Sequence, residues 1–316
     1  MKRTSPVKRT ILCTLLAVFL AATSQAAEKT IRFASVSWTG VTIKTELAVH
    51  ILKTLGYKTS NVMVSVPIVY NALATNEADI FLGNWMPSMQ SIANPYFEKG
   101  TVVKYIANMP GAKYTLAVPS YVFEGGLKDF SDIAKYADKL DHKIYGIEEG
   151  NDGNEIIQAM IDKNMFDLKG ITLVSSSEQG MLSQVQAYGR DKKWIVFLGW
   201  APHYMNEIID MKYLTGSQAD TFGDNDGTAT VYTNLRKGFA EEEPNVALFL
   251  KNLTFPVAMI NQIMGTMHKD TNLHPKEAGL AWLHQHPEVY ERWLKGVKTA
   301  DGKPALPVFA KAMAEK

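Results

Sequence analysis

The sequence is almost without cysteine: 316 residues contain one, Cys13, and it lies in an apolar N-terminal stretch. The rest of the chain therefore has no disulfide framework and no thiolate metal site, and its stability must come from a packed core. An excess of one charge is also missing, with 33 basic residues against 32 acidic ones. A chain balanced in this way has no electrostatic reason to bind nucleic acid or an anionic bilayer. Low-complexity tracts and short-period repeats are absent, as are long apolar runs beyond the N-terminus, so nothing suggests direct membrane insertion. No HExxH pair, Gly-x-Ser-x-Gly elbow or phosphate loop ending in Lys-Ser/Thr occurs. Sequence motifs thus supply no catalytic residues, no metal ligands and no cofactor site.

The first 26 residues carry a different signal. Lys2, Arg3, Lys8 and Arg9 precede an apolar run from Ile11 to Ala22, and Ser24-Gln25-Ala26 offers small residues at cleavage spacing. Residues 1–26 read as a signal peptide cut after Ala26, which places a soluble mature protein in the periplasm. Leu12 stands before Cys13 where a lipid-anchor site would have a small residue. Removing four basic residues changes the formal charge from +1 to +1 − 4 = −3. The mature length is enough for a large core divided into two lobes.

Beyond the leader, β-rich runs alternate with helical periodicity. Strands are expected at 30–36, 62–66, 78–82, 114–119, 143–147, 172–174 and 194–200. Helices are expected at 42–55, 70–75, 132–140, 154–164 and from about 179, and the chain from Pro244 reads as mostly helical. This alternation predicts parallel sheet in an α/β architecture. Trp38, Trp85 and Trp200 each fall at the C-terminal end of a predicted strand, where open α/β sheets bind ligands. Their π faces, gathered in one crevice, would attract a permanent cation that cannot donate hydrogen bonds, such as a trimethylammonium group. Trp194, Trp282 and Trp293 read as core or helix-packing residues. His203, His268, His284 and His286 read as surface residues or as supports behind a site. Ser176 and Ser177 read as a helix cap before Glu178, and Asp224-Asn225-Asp226-Gly227 as a turn.

Several stretches closely resemble the choline-binding proteins of bacterial quaternary-amine (choline/glycine betaine) ABC transporters. They include Ser37-Trp38-Thr39, Phe81-Leu82-Gly83-Asn84-Trp85-Met86-Pro87, Tyr114-Thr115-Leu116-Ala117-Val118-Pro119 and Gly150-Asn151-Asp152-Gly153-Asn154. Further on, Val196-Phe197-Leu198-Gly199-Trp200-Ala201-Pro202-His203 and Gly227-Thr228-Ala229-Thr230-Val231-Tyr232 extend the likeness over nearly the whole mature chain, in order. The resemblance implies a type II periplasmic binding fold, α/β, with two lobes, a hinge and a ligand cleft between them. The expected lobes are 28–112 plus 214–316, and 113–213. It also implies an aromatic box of Trp38, Trp85, Tyr114 and Trp200, with Asn151 contacting a ligand hydroxyl. One position departs: where the family usually reads Trp-Thr-Asp, this chain has Gly40. The implied ligand is therefore choline or a related trimethylammonium compound, with glycine betaine or carnitine as alternatives, and the implied partner an inner-membrane ABC permease. An alternative of another class is a secreted α/β enzyme acting on a choline ester.

Overall fold

The computed structural model describes residues 29–315; the expected signal peptide lies outside them. Nine strands occur among the described residues: β1 (Ile31–Ser35), β2 (Thr59–Met63), β3 (Ile80–Met86), β4 (Val102–Pro119), β5 (Lys143–Tyr145), β6 (Thr172–Val174), β7 (Phe197–Ala201), β8 (Met211–Tyr213) and β9 (Thr228–Arg236). They form one sheet in the order β2-β1-β3-β9-β4-β7-β5-β6, with β8 also pairing along β4. Six helices matter for the site or its frame: α1 (Thr39–Thr54), α2 (Val66–Ala74), α3 (Gln90–Glu98), α4 (Ser120–Glu124), α5 (Asp152–Asp162) and α6 (Glu178–Arg190).

Parallel pairing occupies the two wings of the sheet. β1 runs parallel to β2 and β3, and β5 runs parallel to β6 and β7. The middle is antiparallel, because β9 opposes β3 and β4, and β4 opposes β7 and β8. The architecture is thus a mixed sheet rather than the wholly parallel one that alternation suggests. β9 contributes to this: Thr228 to Arg236 returns from the second half of the chain and inserts antiparallel between β3 and β4, while β4 itself opposes β7 and β8.

The long strand β4 joins the wings. Val102 to Lys113 pairs with β9, and Lys113 to Ala117 with β7. Pro110 and Gly111 lie inside it, at a register shift between Met109 and Ala112. A bulge absorbs both residues in the fold. β3 is buried along almost its whole length, as a strand covered on both faces must be. β2 is an exposed edge strand beginning Thr59-Ser60-Asn61, and its polar start hides it from a hydrophobicity search. The apolar Val66 thought to end this strand instead opens α2, where Pro67 fits a first helical turn that needs no N–H donor. Residues 132–140, expected as one helix, fall instead in short 3₁₀ turns, Phe130–Asp132 and Ala134–Leu140.

Candidate functional site

Strand register positions the aromatic side chains. Tyr114 of β4 lies directly opposite Trp200 of β7, so both side chains leave the sheet on the same face. Their rings meet edge to face, with centroids 6.1 Å apart and planes at 85°. Trp85 of β3 and Met109 of β4 both lie opposite Val231 of the intervening β9, which aligns them in one row across three strands. The Trp85 ring reaches Tyr114 with centroids 5.9 Å apart, tilted by 58°. Trp38 comes from the connection between β1 and α1, and its indole Nε1 donates to Glu148 Oε1 at 2.5 Å.

The four rings line a single cavity. Gly40, Val41 and Lys44 of α1 form another wall, and Met109, Ile147 and Pro202 complete the lining. The void measures about 450 Å³ when the open solvent at its mouth is counted. Each of the four rings is buried. The residues expected from the sequence at Trp38, Gly40, Trp85, Tyr114 and Trp200 are all in this lining.

Asn151 is placed one layer further back. Its Oδ1 accepts from the Asn154 backbone N–H at 2.9 Å and caps α5, and the Tyr114 hydroxyl lies 3.5 Å from the same oxygen. Its Nδ2 donates to the Glu148 carbonyl. Gly153, next along α5, lets that helix pass close to the Tyr114 hydroxyl, because a Cβ there would collide with it.

Charged groups cluster around the cavity. Lys44 is fully buried and donates to the Leu82 carbonyl at 2.7 Å and to Asn108 Oδ1 at 3.1 Å. Burial lowers its ammonium to about 7. Asp152 is also fully enclosed, and neither of its oxygens accepts a hydrogen bond of ordinary geometry. Burial raises its carboxyl to about 7 against the opposing influence of the Ser88 hydroxyl. Glu148 is shifted upward by burial, with Trp38 Nε1 opposing the rise and Glu178 adding to it. Burial raises the Tyr114 phenol well above its usual range, and the Asp152 and Glu148 charges add to the rise.

Glu178 behaves in the opposite way. Burial would raise it, but His203 and the Thr39 hydroxyl and N–H hold it below the usual carboxylate range. His203, read from the sequence as a surface or supporting residue, is fully buried in the second role. Its Nδ1 accepts from the Met205 N–H at 3.0 Å, so Nε2 carries the proton and donates to Glu178 Oε1 at 3.1 Å. Lys44, Glu148 and this Glu178–His203 pair were not legible as site residues. Only Lys44 carried a sequence signal, since it stands four residues after Gly40 and shares its helix face.

An aromatic cavity at the seam of a mixed sheet, framed by helices on both sides, defines a small-molecule binding protein of the type II periplasmic class. The chain belongs to the family described as the substrate-binding domain of ABC-type glycine betaine transport systems, whose model matches residues 29–285. It is similar to a solved ABC-transporter choline-binding protein in complex with choline: 48% identity, 90% of this chain and 98% of that one covered, TM-score 0.87. A choline-binding protein in an unliganded semi-closed conformation matches with the same identity and coverage and a TM-score of 0.82. The glycine betaine/carnitine transport binding protein GbuC of Listeria monocytogenes is 27% identical over 165 residues, 52% of this chain and 53% of that protein.

Proposed function

We propose that this protein is the periplasmic binding component of an ABC transporter and that it captures a small quaternary ammonium compound for delivery to the membrane permease. The observation that carries this reading is the convergence of Trp38, Trp85, Tyr114 and Trp200 on one buried cavity. Aromatic faces attract a trimethylammonium group without needing a hydrogen bond from it. Each contact contributes about 0.5–2 kcal/mol, so four contacts with methyl burial reach the roughly 8 kcal/mol of micromolar binding. The resemblance to a protein solved in complex with choline supports the same ligand class. A choline-ester hydrolase would need a nucleophile and base beside the cage, and the ten lining residues include no serine, threonine, cysteine or histidine.

A second reading concerns the tail of the ligand. Gly40 carries no acid to accept the hydroxyl proton of choline, and Lys44 sets a buried amine one helical turn further along the same wall. Below about pH 7, where Lys44 is protonated, its ammonium would repel a bare cation and be matched by a carboxylate. This wall favours glycine betaine or carnitine over choline. Titration calorimetry of the mature protein with choline, glycine betaine, carnitine and acetylcholine tests both statements. Micromolar or tighter binding of at least one of them is expected, with the carboxylate ligands ahead. No binding of any member removes the proposed function, and a preference for choline removes the tail assignment.

We further propose that the lobes are 28–112 with 214–316, and 113–213, hinged where β4 changes partner, and that they close over the ligand.

A further inference from the structure

Helix α1 begins without a cap of its own. Trp38 occupies the N-cap position and has no side-chain acceptor to offer, and no acid stands in the first turn. The backbone N–H groups that open a helix need partners, and they concentrate positive potential there. Here the partner comes from 139 residues away: Thr39 N–H donates to Glu178 Oε2 at 3.2 Å, and the Thr39 hydroxyl donates to Glu178 Oε1. Glu178 is itself the first residue of α6, which Ser177 caps. Its carboxylate therefore sits between the N-termini of two helices that belong to the two proposed lobes. His203, with its tautomer fixed by the Met205 N–H, holds the carboxylate from behind. The same seam carries the bond from Trp38 to Glu148 and a stacking of Tyr204 on His268, with centroids 4.6 Å apart.

We propose that Glu178 is a positioning residue that supplies the missing cap of α1 only when the lobes meet, and so latches the closed state over the ligand. The inference rests on the proposed binding role and lobe division. Glu178 does not line the cavity, so it adds no contact to the ligand. It stabilises the closed form, in which Trp38 completes the cage. Ligand entry should depend on it little, and ligand escape strongly.

Stopped-flow tryptophan fluorescence with choline and glycine betaine as probes tests this. Glu178→Ala should raise the dissociation rate at least tenfold while the association rate stays within about threefold. Thr39→Val should raise it less, and the double variant should dissociate no faster than Glu178→Ala alone, because both changes break one contact. Thr39→Val leaves the Glu178–His203 pair in place, so it reports on the seam even if Glu178→Ala folds poorly. Unchanged dissociation rates, or rate effects that multiply independently in the double variant, overturn the latch.

A second measurement needs no bound probe. Spin labels at Glu77→Cys and Lys169→Cys, both exposed positions, report the distance between the proposed lobes. The Thr39→Val protein should populate longer distances than the parent, and coincident distributions overturn the latch. Failure of the cage reading looks different: the unmodified protein would then bind neither probe.

Discussion

Trp200 touches both the cavity and its cross-strand partner Tyr114, so truncating it removes one face of the cage and one wall of its neighbour. Trp38→Ala, Trp85→Ala and Trp200→Ala should each weaken ligand binding by about 1–3 kcal/mol, the scale of a desolvated cation–π contact with its lost burial. Calorimetric affinities check this, and three variants that bind like the parent would contradict it. Gly40→Asp should act on selectivity. A Cβ at Gly40 meets the Met264 methyl at 3.0 Å and Ile260 at 3.7 Å, and the flexible thioether can yield to it. The new carboxylate would accept a hydroxyl proton and offset Lys44 one turn away. The ratio of choline to glycine betaine affinity should rise by about 1–3 kcal/mol. A ratio that does not move means residue 40 does not touch the ligand tail. Trp38, Trp85 and Trp200 stood out in the sequence because tryptophan at a strand end is conspicuous, whereas Tyr114 entered only with the family resemblance. Lys44 and Glu178 were not, because a lysine in an amphipathic helix and a glutamate after a serine cap both read as solvated until tertiary burial is known.

Among the elements, β1, α1, β3, the second half of β4, β5, β6, β7, α5, α6 and the C-terminal helices were expected close to where they form, several with shifted boundaries. β9 escaped although Thr228 to Arg236 is rich in β-formers, because strand and helix alternation directs attention to parallel units and β9 has no helix partner of its own. The first half of β4 was not expected as a strand; Pro110 and Gly111 interrupt it, and the fold absorbs them at a register shift. Asn151 was expected, from the family resemblance, to meet a ligand hydroxyl; the structure places it behind Tyr114 as the cap of α5 rather than in the cavity lining. The close pass of α5 supplies a test at this scale. Gly153→Ala should push the Tyr114 ring off its position, destabilise the fold by about 1–3 kcal/mol and weaken ligand binding at least tenfold. Gly189→Ala, in α6 with nothing within 4 Å of the added methyl, is the matched control and should leave affinity unchanged. Gly153→Ala binding as tightly as the control would show that α5 does not position the cage.

The whole molecule is two parallel wings joined by antiparallel strands, with the cavity where the wings meet. Such a site encloses its ligand from several sides and keeps the charge away from bulk water. An interaction made inside it is little screened by salt. Affinity for a trimethylammonium ligand should therefore fall less than threefold between low ionic strength and about 0.5 M salt. A tenfold fall would indicate an exposed carboxylate site instead. The mild acidity expected after leader removal is too small to steer a cation by long-range field, which leaves the cage itself to attract the cationic head group.

Under the proposed function, four aromatic rings select a positive charge rather than a shape. The most direct measurement compares each cation with its neutral-headed carbon isostere by titration calorimetry: choline with 3,3-dimethylbutanol, and glycine betaine with 3,3-dimethylbutanoate. The isosteres keep the methyl surface and the tail and lose only the charge on the head group. Cation–π capture requires the ammonium member of the better-bound pair to bind at least thirtyfold more tightly, which is about 2 kcal/mol. Equal affinities within that pair would mean the cavity recognises methyl bulk alone and would contradict the account.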